Sequence, residues 1–330
     1  MGCSYCWDVD SEADASTPVR VDVAVDGDEL MMSVPGAGGA LVRTGEGSDL
    51  TRVAARQVAT GHLALLEFGF PMVGTAHTEG DHLIVCHMLR TPPGARWDGT
   101  DLTVGQSFIY PPGSSQVALD PEGLTFGMAV VAWPDLELAA SAMGFDLDSG
   151  LRPHVQPAAR TSPFPALFEG LRGDASVWSE GSAETELDVV LDAVVHVACR
   201  QHPSHAHRRA RWDSRDLVEE TAAWLDASGR WQVPMLTLCR EVGVSERRLQ
   251  LAFREVYGTT PQRFMRLRAL QAAHRTIRSA EPGAVRIADV AAAHGFAHGG
   301  RFAHFHHSVY GTSPSEALLA PSSSPNSTGR

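Results

Sequence analysis

The sequence predicts an α+β chain of two domains: an N-terminal antiparallel β barrel or sandwich with appended helices, then an all-α domain built from a duplicated pair of helices. Three observations lead there. Residues 249–261 return 53 residues later as 302–314, and Tyr257-Gly258-Thr259-Thr260-Pro261 differs from Tyr310-Gly311-Thr312-Ser313-Pro314 only at the fourth position. Between about 51 and 133, short apolar or alternating runs are separated by Pro- and Gly-bearing turns, the pattern of antiparallel strands. Charge is divided as well: residues 230–320 hold 12 Arg against 6 Asp plus Glu, inside a chain of net charge −12. A basic region of this kind keeps nucleic acid open as a partner despite the acidic total.

Taken in order, residues 1–50 are acidic and Gly-rich, and read as a loosely ordered extension with one strand around 29–34. Met1-Gly2-Cys3 begins like an acylation signal, but Cys6 stands where that signal needs Ser or Thr. Cys3 and Cys6 have metal or redox spacing with no second such pair. Five scattered cysteines form no disulfide framework and fit a reducing cytoplasm. No secretory leader is visible, and no apolar run approaches the ~20 residues of a membrane helix.

Residues 51–150 form the strand domain, with strands at 62–70, 82–89, 106–110 and 124–133. Pro92-Pro93-Gly94, Asp98-Gly99, Pro111-Pro112-Gly113 and Pro121-Glu122-Gly123 turn the chain between them. Helices follow at 134–143, 163–173 and 183–200. Leu187, Val190, Leu191, Val194, Val195 and Ala198 stripe the last of these, which fits packing on its own barrel and pairing with a twin in a homodimer equally well. Residues 151–211 are thus a helical dimerisation and linker region, ending in a polar hinge at 202–209.

Residues 212–320 hold the duplicated unit, and 321–330 a Ser- and Pro-rich disordered tail. Asp213 or Ser214 caps a leading helix that runs to about 227, with Leu217, Thr221, Trp224 and Leu225 inward. In each copy a short apolar helix (235–242; 287–294) ends near Gly243 or Gly295, and a second helix follows after a brief turn. In the first copy Ser245 is the expected N-cap. Leu249, Ala252, Phe253 and Val256 fall on one face, and Arg247, Gln250, Leu251 and Arg254 on the other. Helix, turn, helix with a basic outer face is the helix-turn-helix pattern, whose second helix enters the major groove. Pro261 opens a long helix to about 278, lined by Phe264, Leu267, Leu270, Gln271 and His274, which holds the two units apart.

Residues from about 213 to 320 resemble the DNA-binding domain of the AraC/XylS family of bacterial transcription regulators. The match runs through Leu238, Gly243-Val244-Ser245, Leu249, Phe253, Tyr257-Gly258 and Pro261. It resumes at Val290-Ala291, Gly295-Phe296, Gly299-Gly300-Arg301-Phe302, Tyr310-Gly311 and Pro314-Ser315. The resemblance implies a tandem helix-turn-helix domain, an activator more than a repressor, double-stranded DNA and RNA polymerase as partners, and a cupin-like jelly roll at the N-terminus that senses a small effector. Residues 105–113 are similar to a cupin turn, where a strand ends in a Pro-Gly loop.

Two reading helices on one rod would enter successive major grooves ~34 Å apart. In the first unit the candidate DNA-binding residues are Ser245, Arg247, Arg248, Gln250, Leu251 and Arg254. Arg suits guanine O6/N7 and Gln suits adenine N6/N7, while Leu251, where the family often has Arg, either touches a thymine methyl or leaves that base unread. In the second they are His298, Gly300, Arg301 and His304. Gly299 and Gly300 weaken that helix by ~1 kcal/mol each against Ala, and the resemblance implies mainly backbone contacts there. His306 stands where the repeat and the family place an aromatic core residue, which leaves local packing open.

No catalytic set and no cofactor are expected. A metal-dependent cupin enzyme is the rival from another class, with His77, Glu79, His82 and His87 as its candidate ligands. Their spacing does not reproduce the cupin ligand motif, and His82 and His87, five apart on one strand, face opposite ways. A constitutive DNA-binding protein whose barrel only dimerises is the third reading.

Overall fold

The structure, a computed structural model, describes residues 19–24, 36–48, 50–143, 145, 147, 151–158, 162–172, 183–198, 209–229, 232–281 and 283–319. The expected strand around 29–34, Cys3 and Cys6, most of the 202–209 hinge and the tail at 321–330 lie outside them.

Two antiparallel sheets face each other. One has seven strands in the order β1 (Val19–Ala24), β3 (Leu50–Val58), β4 (Gly61–Glu67), β11 (Thr125–Ala132), β6 (His82–Arg90), β9 (Ser107–Tyr110) and β12 (His154–Gln156). The other has five: β2 (Ala37–Arg43), β5 (Met72–Thr78), β10 (Ser115–Asp120), β7 (Arg96–Trp97) and β8 (Thr100–Asp101). Of the barrel and the sandwich that the sequence allows, the described residues form the sandwich, two separate sheets with no closed barrel. Helices cover the outer face of each sheet, so both sheets are buried on two sides without closing on themselves. Two of the strands, β1 and β2, come from within the first fifty residues, read from the sequence as an extension.

Burial on two sides explains the unbroken apolar runs. Leu63, Leu65, Leu83, Val85, Ala129 and Val131 point to the outer helices, while Ala64, Leu66, Ile84, Cys86, Met128 and Val130 point between the sheets. The outer helices are α1 (Trp133–Ala142), α2 (Phe164–Arg172) and α3 (Ala183–Ala198). At Gly127 a Cβ would collide with the Phe168 ring, so the missing side chain lets α2 lie close on the sheet. Val190, Leu191, Val194, Val195 and Ala198 of α3 are buried in the same core. The stripe packs on its own sheet, which removes it as a face for a twin.

From Arg209 onward every described element is a helix: α4 (Arg209–Ser228), α5 (Met235–Glu241), α6 (Glu246–Tyr257), α7 (Pro261–Arg278), α8 (Ile287–Ala293), α9 (Gly299–Tyr310) and α10 (Pro314–Leu319). The leading helix α4 begins earlier than expected. Ser214 lies inside it, not at its cap, and its Oγ donates to Glu255 Oε2 at 2.9 Å, tying α4 to α6.

The outer face of the five-stranded sheet carries this helical half. Val42, Val73 and Val117 share one core with Leu217, Leu249, Phe253, Tyr257, Leu270 and Tyr310. Polar bonds cross the same seam. Gln271 Nε2 donates to the Leu41 carbonyl at 3.0 Å, and the Arg43 guanidinium lies 4.5 Å from the Phe70 ring centre and 5.3 Å from that of Tyr310.

Candidate nucleic-acid interface

Helix α6 forms where its sequence grammar places it. Ser245, extended at φ −73° and ψ 151°, accepts from the Arg248 amide at 3.3 Å and caps the first turn. Gly258 ends the helix at φ 63°, a left-handed position where a β-carbon is strained, and its amide bonds the Arg254 carbonyl. Leu249, Ala252, Phe253, Val256 and Tyr257 are buried. On the other side Arg247 and Arg254 are exposed, and Leu251 is 50% exposed. Gln250 is half-buried, and its Nε2 donates to Glu246 Oε1 at 2.9 Å, a bond it must exchange to read a base. Arg248 is half-buried on the flank.

Helix α9 repeats the shape with less support. His298 stands at its N-cap without a side-chain bond, and Cβ positions at Gly299 and Gly300 meet open space. Arg301 and His304 are exposed. Beside them the Arg266 guanidinium of α7 lies 4.6 Å from the Phe305 ring centre. Sequence reading had left Arg266, like the exposed Arg263, on a supporting rod. Their outward direction follows from which face of α7 is buried. That face is Phe264, Met265, Leu267, Arg268, Leu270, Gln271, His274 and Ile277.

His306 settles the packing left open above. It is fully buried, its Nδ1 bonds the Thr312 carbonyl at 2.8 Å, and its Nε2 meets His274 Nδ1 at 2.9 Å. A carbonyl only accepts, so Nδ1 of His306 carries the proton and its Nε2 accepts from His274. Burial holds His306 down at about 4, and burial and then His306 itself hold His274 lower still. Both rings are neutral at physiological pH. His274 stacks on Tyr310 at 3.8 Å between centres, so the pair does the work of the expected aromatic residue.

A cavity of about 50 Å³ opens between the sheets, walled by Leu66, Phe68, Ile84, Trp97, Phe126 and Met128. Tyr110 and Ser115 also line it, and both reach the helical half. Tyr110 Oη donates to Asp98 Oδ2 at 3.3 Å, Asp98 lies 3.1 Å from Arg215 Nε of α4, and Ser115 Oγ donates to Glu219 Oε2 at 2.7 Å. Arg215 is tied in turn to Glu219 at 2.7 Å and to Ser115 at 3.0 Å. Burial raises the Asp98 carboxyl to about 6 against the opposing pull of Arg215.

The metal candidates are dispersed. His77 Nε2 lies 3.8 Å from Glu79 Oε1, and His82 Nδ1 bonds the Glu79 carbonyl oxygen. His87 is buried on the opposite face, bonded to Ser107 Oγ at 2.8 Å and packed on Phe164. Among the described residues no three His, Cys, Asp or Glu side chains gather as a metal site.

Residues 238–319 match a family model described as a helix-turn-helix domain. Over 102 residues, 31% of this chain, the sequence is 34% identical to the probable thc operon regulatory protein of Rhodococcus erythropolis, and the match spans 31% of that relative's length. It is 26% identical over 115 residues, 35% of this chain, to the XylDLEGF operon transcriptional activator 2 of Pseudomonas putida, 73% of which is covered. Among solved structures, the AraC-like transcriptional activator CuxR aligns over 77% of this chain and 94% of its own at 14% identity, with a TM-score of 0.39. ToxT from Vibrio cholerae O395 aligns over 87% and 98% at 9% identity, with a TM-score of 0.32. The matched domain is the one built from the two bihelical units on α7, an AraC-type helix-turn-helix domain.

Proposed function

We propose that the chain is a sequence-specific regulator of transcription that reads double-stranded DNA with α6 and α9 and responds to a small effector held between its sheets. The observation that carries the reading is α6: a capped helix, fixed by a wholly buried stripe, that offers Arg247, Gln250, Leu251 and Arg254 as one outward face. Arg247 and Gln250 are the base readers, with Leu251 against a thymine methyl. Ser245, Arg248 and Arg254 set the helix on the phosphates. On α9, His298, Gly300, Arg301 and His304 make mainly backbone contacts, joined by Arg263 and Arg266 of α7.

The effector reading is supported by the wall that the cavity shares with α4. A ligand that moves Tyr110 or Ser115 acts on Asp98, Arg215 and Glu219, and so on the helix that Ser214 ties to α6. Only a ligand that binds two arrangements of this wall unequally shifts the regulator. Action as an activator through RNA polymerase, and assembly as a homodimer through a face other than the α3 stripe, belong to the same proposal. Arg247→Ala is expected to cost about 1–3 kcal/mol of DNA affinity and to relax one base position. Genome-wide mapping of bound sites followed by gel shifts on a recovered site tests this, and unchanged affinity and specificity would overturn the assignment.

A further inference from the structure

The inter-sheet cavity holds a carboxyl to which the described residues give no counter-ion. Asp120, at the end of β10, is 2% exposed and lines the apolar wall beside Phe68, Trp97, Phe126 and Met128. Its Oδ1 accepts from Trp97 Nε1 at 2.6 Å, and the described residues give its side chain no other hydrogen bond and no ion pair. The other buried carboxyl nearby, Asp98, shows what such a group ordinarily collects: a guanidinium, the Val117 amide and the Tyr110 hydroxyl. Burial raises Asp120 to about 7 against the lowering pull of the Trp97 bond, so near neutral pH it stands ready either to keep a proton or to meet a cation. A buried carboxylate is costly by several kcal/mol unless a positive partner arrives. As an acceptor for the Trp97 indole an uncharged amide would serve, so the charge is what needs an occupant.

We propose that the cavity takes a small apolar molecule bearing one protonated amine, with its ammonium seated on Asp120 and its hydrocarbon part between Phe68, Phe126, Ile84 and Met128. The inference rests on the reading of this cavity as the effector site and adds the chemical class. The space of about 50 Å³ accommodates roughly three to five water-sized groups at roughly 10–15 Å³ each. The ammonium and nearest carbons of a short alkylamine fit as the cavity stands. Half-exposed His77 and Gln116 mark the open end, through which a longer amine would extend.

Calorimetric titration of the full chain with isoamylamine, isoamyl alcohol and isovalerate tests this. The amine is expected to bind at least tenfold more tightly than the alcohol, with the carboxylate weakest. In Asp120→Asn the amine preference should fall to about one while the alcohol is bound as before. Equal binding of amine and alcohol by the unaltered protein, or no binding of any of the three, overturns the proposal. Should Asp120→Asn not fold, the unaltered protein decides through pH. Amine affinity should rise severalfold from pH 6 to 8 with the alcohol unchanged, and a flat amine profile overturns the proposal. Cys86, Tyr110 and His77 are the other titratable groups on the cavity wall, with Asp98 behind Tyr110. DNA binding, followed on the same preparations, separates the two ideas. A protein that binds DNA without preferring the amine leaves the regulator reading standing and removes this one.

Discussion

At the scale of single residues, the His274–His306 pair has a definite pH signature. The folded chain holds both rings below the ordinary value of about 6.5, so the unfolded chain binds more protons over the window between. Their stabilising contribution is fully present above about pH 6.5 and is lost as pH falls toward about 4, where His306 protonates in the fold. Asp98 and Asp120 have raised values and act with the opposite sign, gaining stability as pH falls through about 6 and about 7 respectively. A single melting profile therefore mixes the two. His306→Phe isolates one of them: its melting temperature should fall less than that of the unaltered protein between pH 6.5 and 4.5. Parallel profiles would show that His306 is not the titrating group.

At the scale of elements, α6 and α9 show what a cap does. Both carry the same buried stripe and both end at a left-handed Gly, but only α6 has a capping side chain. His298→Asp should supply the missing acceptor and stabilise the domain by about 0.5–2 kcal/mol. Urea unfolding of the variant checks this, and no gain in midpoint would mean that the α9 terminus is satisfied some other way.

These elements were legible because their information is local. The period of Leu249, Ala252, Phe253 and Val256, the capping Ser245 and the closing Gly258 all lie within fourteen residues. The outward positions of Arg247 and Arg254 followed directly. Strands were legible where apolar runs were long, as at β4, β6 and β11. Strand β2 was not, because Gly38 and Gly39 dilute its alternation, and the two-residue strands β7 and β8 carry no period at all. Ser214 was misread as a cap because its partner, Glu255, is 41 residues away. The cavity wall was illegible for the same reason: nothing near Asp98 in sequence announces Arg215.

At the scale of the whole molecule, the seam between the sheets and the helical half decides whether the two behave as one body. Arg215, with its side chain 6% exposed, neutralises Asp98 and Glu219 together. Arg215→Ala leaves both carboxylates without that partner, and removing one member of a buried pair costs about 3–5 kcal/mol. The expected outcome is two separate unfolding transitions where the unaltered chain shows one, followed by tryptophan fluorescence and far-ultraviolet circular dichroism in urea. Coincident transitions in the variant would place the coupling in the apolar contacts of Val42, Val73 and Val117 instead.

Strand β10 has a longer-term implication. Gln116, Ala118 and Asp120 look inward, while Val117 and Leu119 look toward the helices. One ribbon of six residues is thus both the lining of the cavity and the floor on which the helical half packs. Insertion or deletion of a single residue there would exchange the two roles outright. Under the proposed function, descendants of this chain are free to acquire new chemical tastes by point substitution, but not by changes of length in that ribbon, and each new taste arrives already wired to the same response.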